Sequence, residues 1–442
     1  MTPIVLILAA SALVIYALFS AKLENSSLTP PMLFTAVGLG LGPAGLGLVK
    51  LDVSEPYFKL LAEITLVLVL FTDASRINLR LMRRSYPLPL RLLSLGLPIC
   101  WLTGTLVAWW MIPQLVFWEA AALAAILAPT DAALGQAVMA NTLVPQRIRQ
   151  AINVESGLND GLALPLVLIT LSLAASGEGV DPGFNWSVWT LKQVIWGPAA
   201  GALVGFAGGW LLSLSQRHGW MTHVFQDLAS LSLSLLAYAL AHLIGGNGLL
   251  AAFVAGLTLG TTASHVCTCL WEFAESEGQM LVLISFMIFG AVMVPPALNS
   301  ADWKLWLYAG LSLSLIRILP AAISIAGMGL RWSSQIFIGW FGPRGLASIL
   351  FVLLMLSRFQ LDHDSILLNT VSLTVLVSIY AHGLSAAPLA TLYGRSMERM
   401  ALQQDAKTRP ELLAVESEMP VRLPHSSNAH HQPMHPTDQA QD

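Results

Sequence analysis

Five charged side chains stand deep inside otherwise apolar stretches of this sequence: Asp131, Glu155, Asp160, Arg317 and Arg344. An ionised group taken out of water costs several kcal/mol unless it is paired or put to use. Three short segments hold four of the five. The first reads Ala124-Ala-Ile-Leu-Ala-Pro-Thr-Asp-Ala-Ala-Leu-Gly135. Pro129 lacks an amide hydrogen and so frees a carbonyl of the preceding turn. Freed carbonyls, the Thr130 hydroxyl and the Asp131 carboxylate are the oxygen ligands a hard monovalent cation accepts. The second reads Asn153-Val-Glu-Ser-Gly-Leu-Asn-Asp-Gly-Leu-Ala-Leu-Pro165. On a helix, Ser156 lies under Asp160 and Glu155 under Asn159, each at i,i+4. Each stripe pairs an acid with a neutral hydrogen-bonding group, and Gly157 and Gly161 allow another helix to come close. The third, Gly339-Trp-Phe-Gly-Pro-Arg-Gly-Leu-Ala-Ser348, again sets a charge directly after a proline.

Charge arithmetic narrows the chemistry. Three acids and two arginines leave one net negative charge. Arginine stays protonated, so Arg344 and Arg317 most simply hold one carboxylate each. The third carboxylate is left to bind a proton or one monovalent cation. Burial favours its neutral form and a bound cation its ionised form. Competition of that kind suffices for coupled exchange.

The elements that must position these groups follow from composition. Hydrophobic residues make up 55 % of the 442 and charged residues 11 %, less than half the usual quarter. So few charges cannot cover a soluble protein of this size. The 22 basic against 25 acidic residues give no excess for nucleic acid, and three cysteines build no disulfide scaffold. Apolar runs of spanning length recur thirteen times, at about 3–21, 30–49, 56–74, 87–111, 116–140, 148–175, 189–213, 223–244, 247–263, 279–297, 303–329, 334–358 and 365–393. The second, eighth and ninth are the weakest; twelve spans with one re-entrant segment is the alternative. The first run lacks a basic flank and a cleavage pattern, so it reads as a retained helix.

Arg76, Arg80, Arg83, Arg84 and Arg91 put the loop after the third span in the cytoplasm. The N-terminus is then outside and the C-terminus inside. Fifteen of the 22 basic residues fall inside and five outside (Lys50, Lys59, Lys192, Lys304 and Arg358), with Arg317 and Arg344 within spans. The expected organisation is an all-α polytopic membrane domain over 1–393. It comprises one repeat over about 3–175, a linker helix at about 189–213 and a second repeat over about 223–393. Residues 394–442 form a polar, largely disordered cytoplasmic tail. Seven spans, an odd number, separate the two proline breaks, so they cross the bilayer in opposite directions, as an inverted repeat requires. Glu63, Asp73, Glu119 and Asp227 sit near span ends and read as interfacial. The tail histidines (His425, His430, His431, His435) and the Cys267–Cys269 pair read as incidental.

At Ala-Pro-Thr-Asp (128–131), Glu-Ser-Gly-Leu-Asn-Asp-Gly (155–161) and Gly-Pro-Arg-Gly (342–345) the chain resembles the monovalent cation:proton antiporter-1 family, the bacterial and archaeal Na⁺/H⁺ exchangers. The likeness runs over about residues 5–393. It implies thirteen helices, an inverted repeat, a homodimer in the lipid of the plasma membrane and an elevator-like movement of a core domain. It also implies that Asp160 carries ion and proton. Ser156 and Thr130 would then help coordinate the ion, and Glu155 would pair with Arg344. Asn159 before Asp160 resembles the electroneutral branch. Ala132 stands where the family often has proline, and Phe71-Thr-Asp-Ala-Ser-Arg varies a more apolar family stretch, so Asp73 is assigned no role. The expected substrates are H⁺ and Na⁺, Li⁺ or K⁺, with no cofactor. The rival readings are an intramembrane aspartyl protease using Asp131 and Asp160, and a cation channel.

Overall fold

The computed structural model describes residues 3–24, 28–48, 56–77, 79, 82, 87–175, 186–263, 267–300, 302–359, 361–401 and 411. Every regular element among them is helical. In chain order these are α1 (Pro3–Glu24), α2 (Pro30–Leu41), α3 (Pro56–Ser75), α4 (Pro87–Met111, with a π-helical stretch Leu92–Gly96) and α5 (Phe117–Ile126). A 3₁₀ turn (Ala132–Gly135) leads into α6 (Gln136–Ala140). Then come α7 (Gln146–Ala175), α8 (Trp186–Arg217), α9 (His223–Leu243) and α10 (Gly248–Thr262). α11 (Cys267–Ile288) passes through a π stretch (Phe289–Met293) into α12 (Val294–Ser300). The last five are α13 (Trp303–Leu313), α14 (Leu315–Ser324), α15 (Trp332–Trp340), α16 (Leu346–Arg358) and α17 (Asp364–Ala401).

Each of the thirteen expected runs holds helix among the described residues, and the two proline breaks fall where the sequence places them. Among the described residues, six helical stretches are long and apolar enough to cross a bilayer alone. Others are shorter because local chemistry ends them. α2 stops at Leu41, not near 49, because Gly42 and then Pro43 follow. Its 12 residues rise about 18 Å against a hydrocarbon core of about 30 Å. The eleventh run, expected unbroken, is interrupted at Ser314 (φ −111°, ψ −95°), which puts Arg317 in the first turn of α14. The final helix runs eight residues past 393, to Ala401. Pro165, Pro198 and Pro388 lie inside long helices without ending them, as neighbouring helices in a membrane permit.

The helices pack as two bundles. One joins α2, α3 and α9 to α11, with α8 laid against α10. The other joins α4, α5 and α7 to α13 to α17. Between them α7 meets α10 at Gly161, where a Cβ would run into the Phe253 ring, and α16 packs on α3. The small-residue spacing on α7 therefore serves contact with the opposite bundle. A Cβ at Gly157 would meet the Asp73 carbonyl and Ile77 only at ordinary contact distance. Arg80, Arg83, Arg84, the four tail histidines and the side chains of Cys267, Cys269 and Asp227 lie outside the described residues.

Candidate functional site

The two broken spans cross at the centre of the second bundle. α5 ends at Ile126 and α16 begins at Leu346, and the extended segments between half-helices touch: Asp131 N donates to Pro343 O at 2.8 Å. A broken helix leaves carbonyls unsatisfied at one end and amides at the other. Here each break supplies the group the other lacks. Arg344 Nη1 donates to Ala128 O (2.7 Å) and Pro129 O (3.1 Å), and Ser348 Oγ donates to Ile126 O (2.8 Å). In return, Asp131 Oδ2 accepts from Leu346 N at 2.8 Å. The cation sits on the negative end of one helix dipole and the carboxylate on the positive end of the other. Gly345 makes the approach possible, because a Cβ there would overlap the Asp131 carboxylate.

This geometry corrects two expectations. The carbonyls of Ala128 and Pro129 are not left for a cation; the Arg344 guanidinium occupies them. Nor is Arg344 the ion-pair partner of Glu155. Glu155 Oε1 forms its ion pair with Arg317 Nη2, both side chains about 3 % exposed. The break at Ser314 turns Arg317 to this position, and Gly342 leaves room for its guanidinium. Spacing along the chain could not separate the two arginines as partners, since both stand far from Glu155 in sequence. Asp131 is committed through Oδ2 to the cap of α16. An acid dyad needs both carboxylates directed at one shared proton, so this cap does not favour the protease reading.

The polar groups of α7 meet the first break. Thr130 Oγ1 lies 3.1 Å from Ser156 Oγ and accepts a hydrogen bond from Asn159 Nδ2. Asn159 Oδ1 has no hydrogen-bond partner among the described residues. α7 is continuous through this region, so Asp160 follows Ser156 one turn on, beside the same cluster. Asp160 is 9 % exposed, against 2 % for Thr130, 3 % for Ser156 and 0 % for Asn159. It is the most accessible member of the group. Together, Thr130, Ser156, Asn159 and Asp160 offer hydroxyl, amide and carboxylate oxygens at one buried place.

Several supporting residues escaped the sequence reading. Arg344 N donates to Ser378 Oγ (2.7 Å), Ser378 Oγ lies 3.2 Å from His382 Nδ1, and His382 Nε2 lies 2.9 Å from Trp340 O. Ser378 and His382 of α17 thereby hold both ends of the second break. Their signal was faint: a serine and a histidine at i,i+4 in an apolar span. Cys100 Sγ accepts from Arg344 Nη2 at 3.5 Å, which nothing around Cys100 announces. Glu119 is buried rather than interfacial. It caps α5 through Val116 N (3.0 Å) and sits 3.0 Å from His363 Nδ1.

The family description "Sodium/hydrogen exchanger, transmembrane" matches residues 9–392. The K(+)/H(+) antiporter NhaP of Alkalimonas amylolytica is 27 % identical over 378 residues, covering 84 % of this chain and 64 % of the relative. A probable Na(+)/H(+) antiporter of Schizosaccharomyces pombe is 25 % identical over 311 residues, covering 65 % of this chain and 40 % of that protein. The chain thus spans less than two thirds of the length of these curated relatives. The sodium proton antiporter MjNhaP1 from Methanocaldococcus jannaschii shares the fold, with a TM-score of 0.72 at 19 % identity over 88 % of this chain and 98 % of that one. With the family match running over nearly all of its helical part, this chain belongs to the transmembrane sodium/hydrogen exchanger family.

Proposed function

We propose that the protein exchanges one monovalent cation for one proton across the membrane, and that both compete for Asp160. One observation carries the reading. Thr130 is brought into contact with Ser156 and Asn159 at the helix break, and Asp160 lies beside them as the carboxylate of the cluster. Arg317 and Arg344 are engaged elsewhere, Arg317 with Glu155 and Arg344 with the carbonyls of α5. Neutralising the carboxylate by a proton empties the cation site, and a cation displaces the proton. Strict competition gives one-for-one, electroneutral exchange, provided the ionised empty site does not cross.

Na⁺ is our first choice of cation, with Li⁺ and K⁺ sharing the same oxygen ligands; relatives bear both Na⁺/H⁺ and K⁺/H⁺ names. The arginine-rich loop favours a cytoplasmic C-terminus in a plasma (inner) membrane, and we expect a homodimer in lipid. The halves over 3–175 and 223–393 would form two repeats joined by the helix at 189–213. Asp131, an expected ion ligand, instead holds the crossing together through the cap of α16.

The test is dye-monitored proton flux in proteoliposomes, with Na⁺, Li⁺ and K⁺ chloride added in turn. Wild type should dissipate an imposed pH gradient with at least one salt. Asp160→Asn and Asp160→Ala should not. Undiminished exchange in Asp160→Ala would overturn the site assignment, and salt-driven current without a pH gradient would point to a channel.

A further inference from the structure

A second polar cluster joins the two bundles near the start of α3, at the end far from the arginine loop. Glu63 of α3 accepts a hydrogen bond at Oε2 from Tyr238 Oη of α9, at 3.0 Å. Its Oε1 faces Arg358 Nη2, at the last residue of α16, across 3.9 Å. Tyr238 belongs to the same bundle as Glu63, and Arg358 belongs to the other. The tyrosine therefore aims the carboxylate, and the arginine is what it reaches across the interface.

Two adjoining clefts share Glu63, Leu249 and Leu354 in their walls. One carries His242, Asn247 and Arg358. The other is lined by Leu66, Leu249, Leu350, Leu353 and Leu354. All five of these leucines are buried. A polar mouth thus stands over an apolar plug built from both bundles, since Leu66 and Leu249 come from α3 and α10 and the others from α16. Any movement that opens a path here must part α16 from α3.

We propose that Glu63, positioned by Tyr238, and Arg358 form a latch that keeps this side of the transporter closed. The proposal rests on the exchange reading only in that both sides must open in turn. A part-exposed ion pair of this kind biases such an equilibrium by a factor of about 1.5 to 5. That is enough to tune the turnover of an exchanger without locking it.

The experiment reads accessibility of the plug directly. Cys267 and Cys269 are changed to serine; Cys100, 3 % exposed, is retained. Leu353→Cys reports on the plug. Full-length protein in proteoliposomes is labelled with a membrane-impermeant maleimide from the Glu63 side. Glu63→Gln, Arg358→Gln and Tyr238→Phe should each speed labelling by about 1.5- to 5-fold. The exchanged pair Glu63→Arg with Arg358→Glu should restore the slow rate. Each single variant should also change kcat more than the cation KM, since none touches the ion cluster. Unchanged labelling in both charge variants, or a swapped pair that labels faster than either single variant, would overturn the latch. Exchange activity in the same vesicles separates the two ideas. Labelling that shifts as expected without any cation–proton exchange defeats the transport reading and leaves the latch standing.

Discussion

Arg317, rather than Arg344, is the residue whose loss should be felt by Glu155. The perturbation is a double-mutant cycle over Glu155→Gln, Arg317→Met and Arg344→Met. Glu155 and Arg317 are in direct contact with both side chains about 3 % exposed. Removing one partner of such a pair leaves a buried charge uncompensated and typically costs ~3–5 kcal/mol. Removing both partners removes that penalty, so the double variant should lose far less than the sum of the singles. The expected coupling lies at the upper end of the ~0.5–3 kcal/mol seen for contacting residues. Arg344→Met should also destabilise, for another reason: it strands the carbonyls of Ala128 and Pro129. That loss belongs to the break and should be much more nearly additive with Glu155→Gln. The assay is equilibrium unfolding in mixed micelles of a mild and a denaturing detergent, followed by tryptophan fluorescence. Additive losses for Glu155 with Arg317, together with strong coupling of Glu155 to Arg344, would refute the assignment.

Other consequences can be checked alongside it. Asp131→Asn retains an oxygen able to accept from Leu346 N and should keep exchange, whereas Asp131→Ala removes the α16 cap at a cost of about 0.5–2 kcal/mol; a large rise in cation KM in Asp131→Asn would make it an ion ligand after all. Thr130→Val and Ser156→Ala should raise the cation KM while leaving the protein folded, measured by exchange at graded salt; unchanged KM in both would remove them from the site. If proton and cation compete at one carboxylate, the apparent cation KM should climb by about one decade per pH unit at the acid end, and a KM flat across pH 5 to 8 would contradict the scheme. Gly345→Ala should fail to assemble the crossing, seen as loss of both monodisperse protein and transport, because its Cβ would meet the Asp131 carboxylate.

Much of this protein is legible along the chain because a bilayer asks simple questions of a sequence. Spanning length, absence of charge and the prolines at 129 and 343 locate the helices and their breaks without knowledge of neighbours. The cost of burying charge singles out Asp131, Glu155, Asp160, Arg317 and Arg344 for the same reason. Helix register then sets Ser156 beside Asp160, since i,i+4 relations are local. What the chain order could not decide is which charge meets which. Arg317 and Arg344 are equally plausible partners for Glu155 until Ser314 interrupts its helix and turns one of them inward. The Asp131 carboxylate and the carbonyls behind Pro129 looked like free ligands because their takers, Leu346 N and Arg344, are more than 200 residues away. Helix ends and buried charges are satisfied by whatever the fold brings near. That choice depends on the packing of α5, α7, α14 and α16 in three dimensions, so only the tertiary structure could make it.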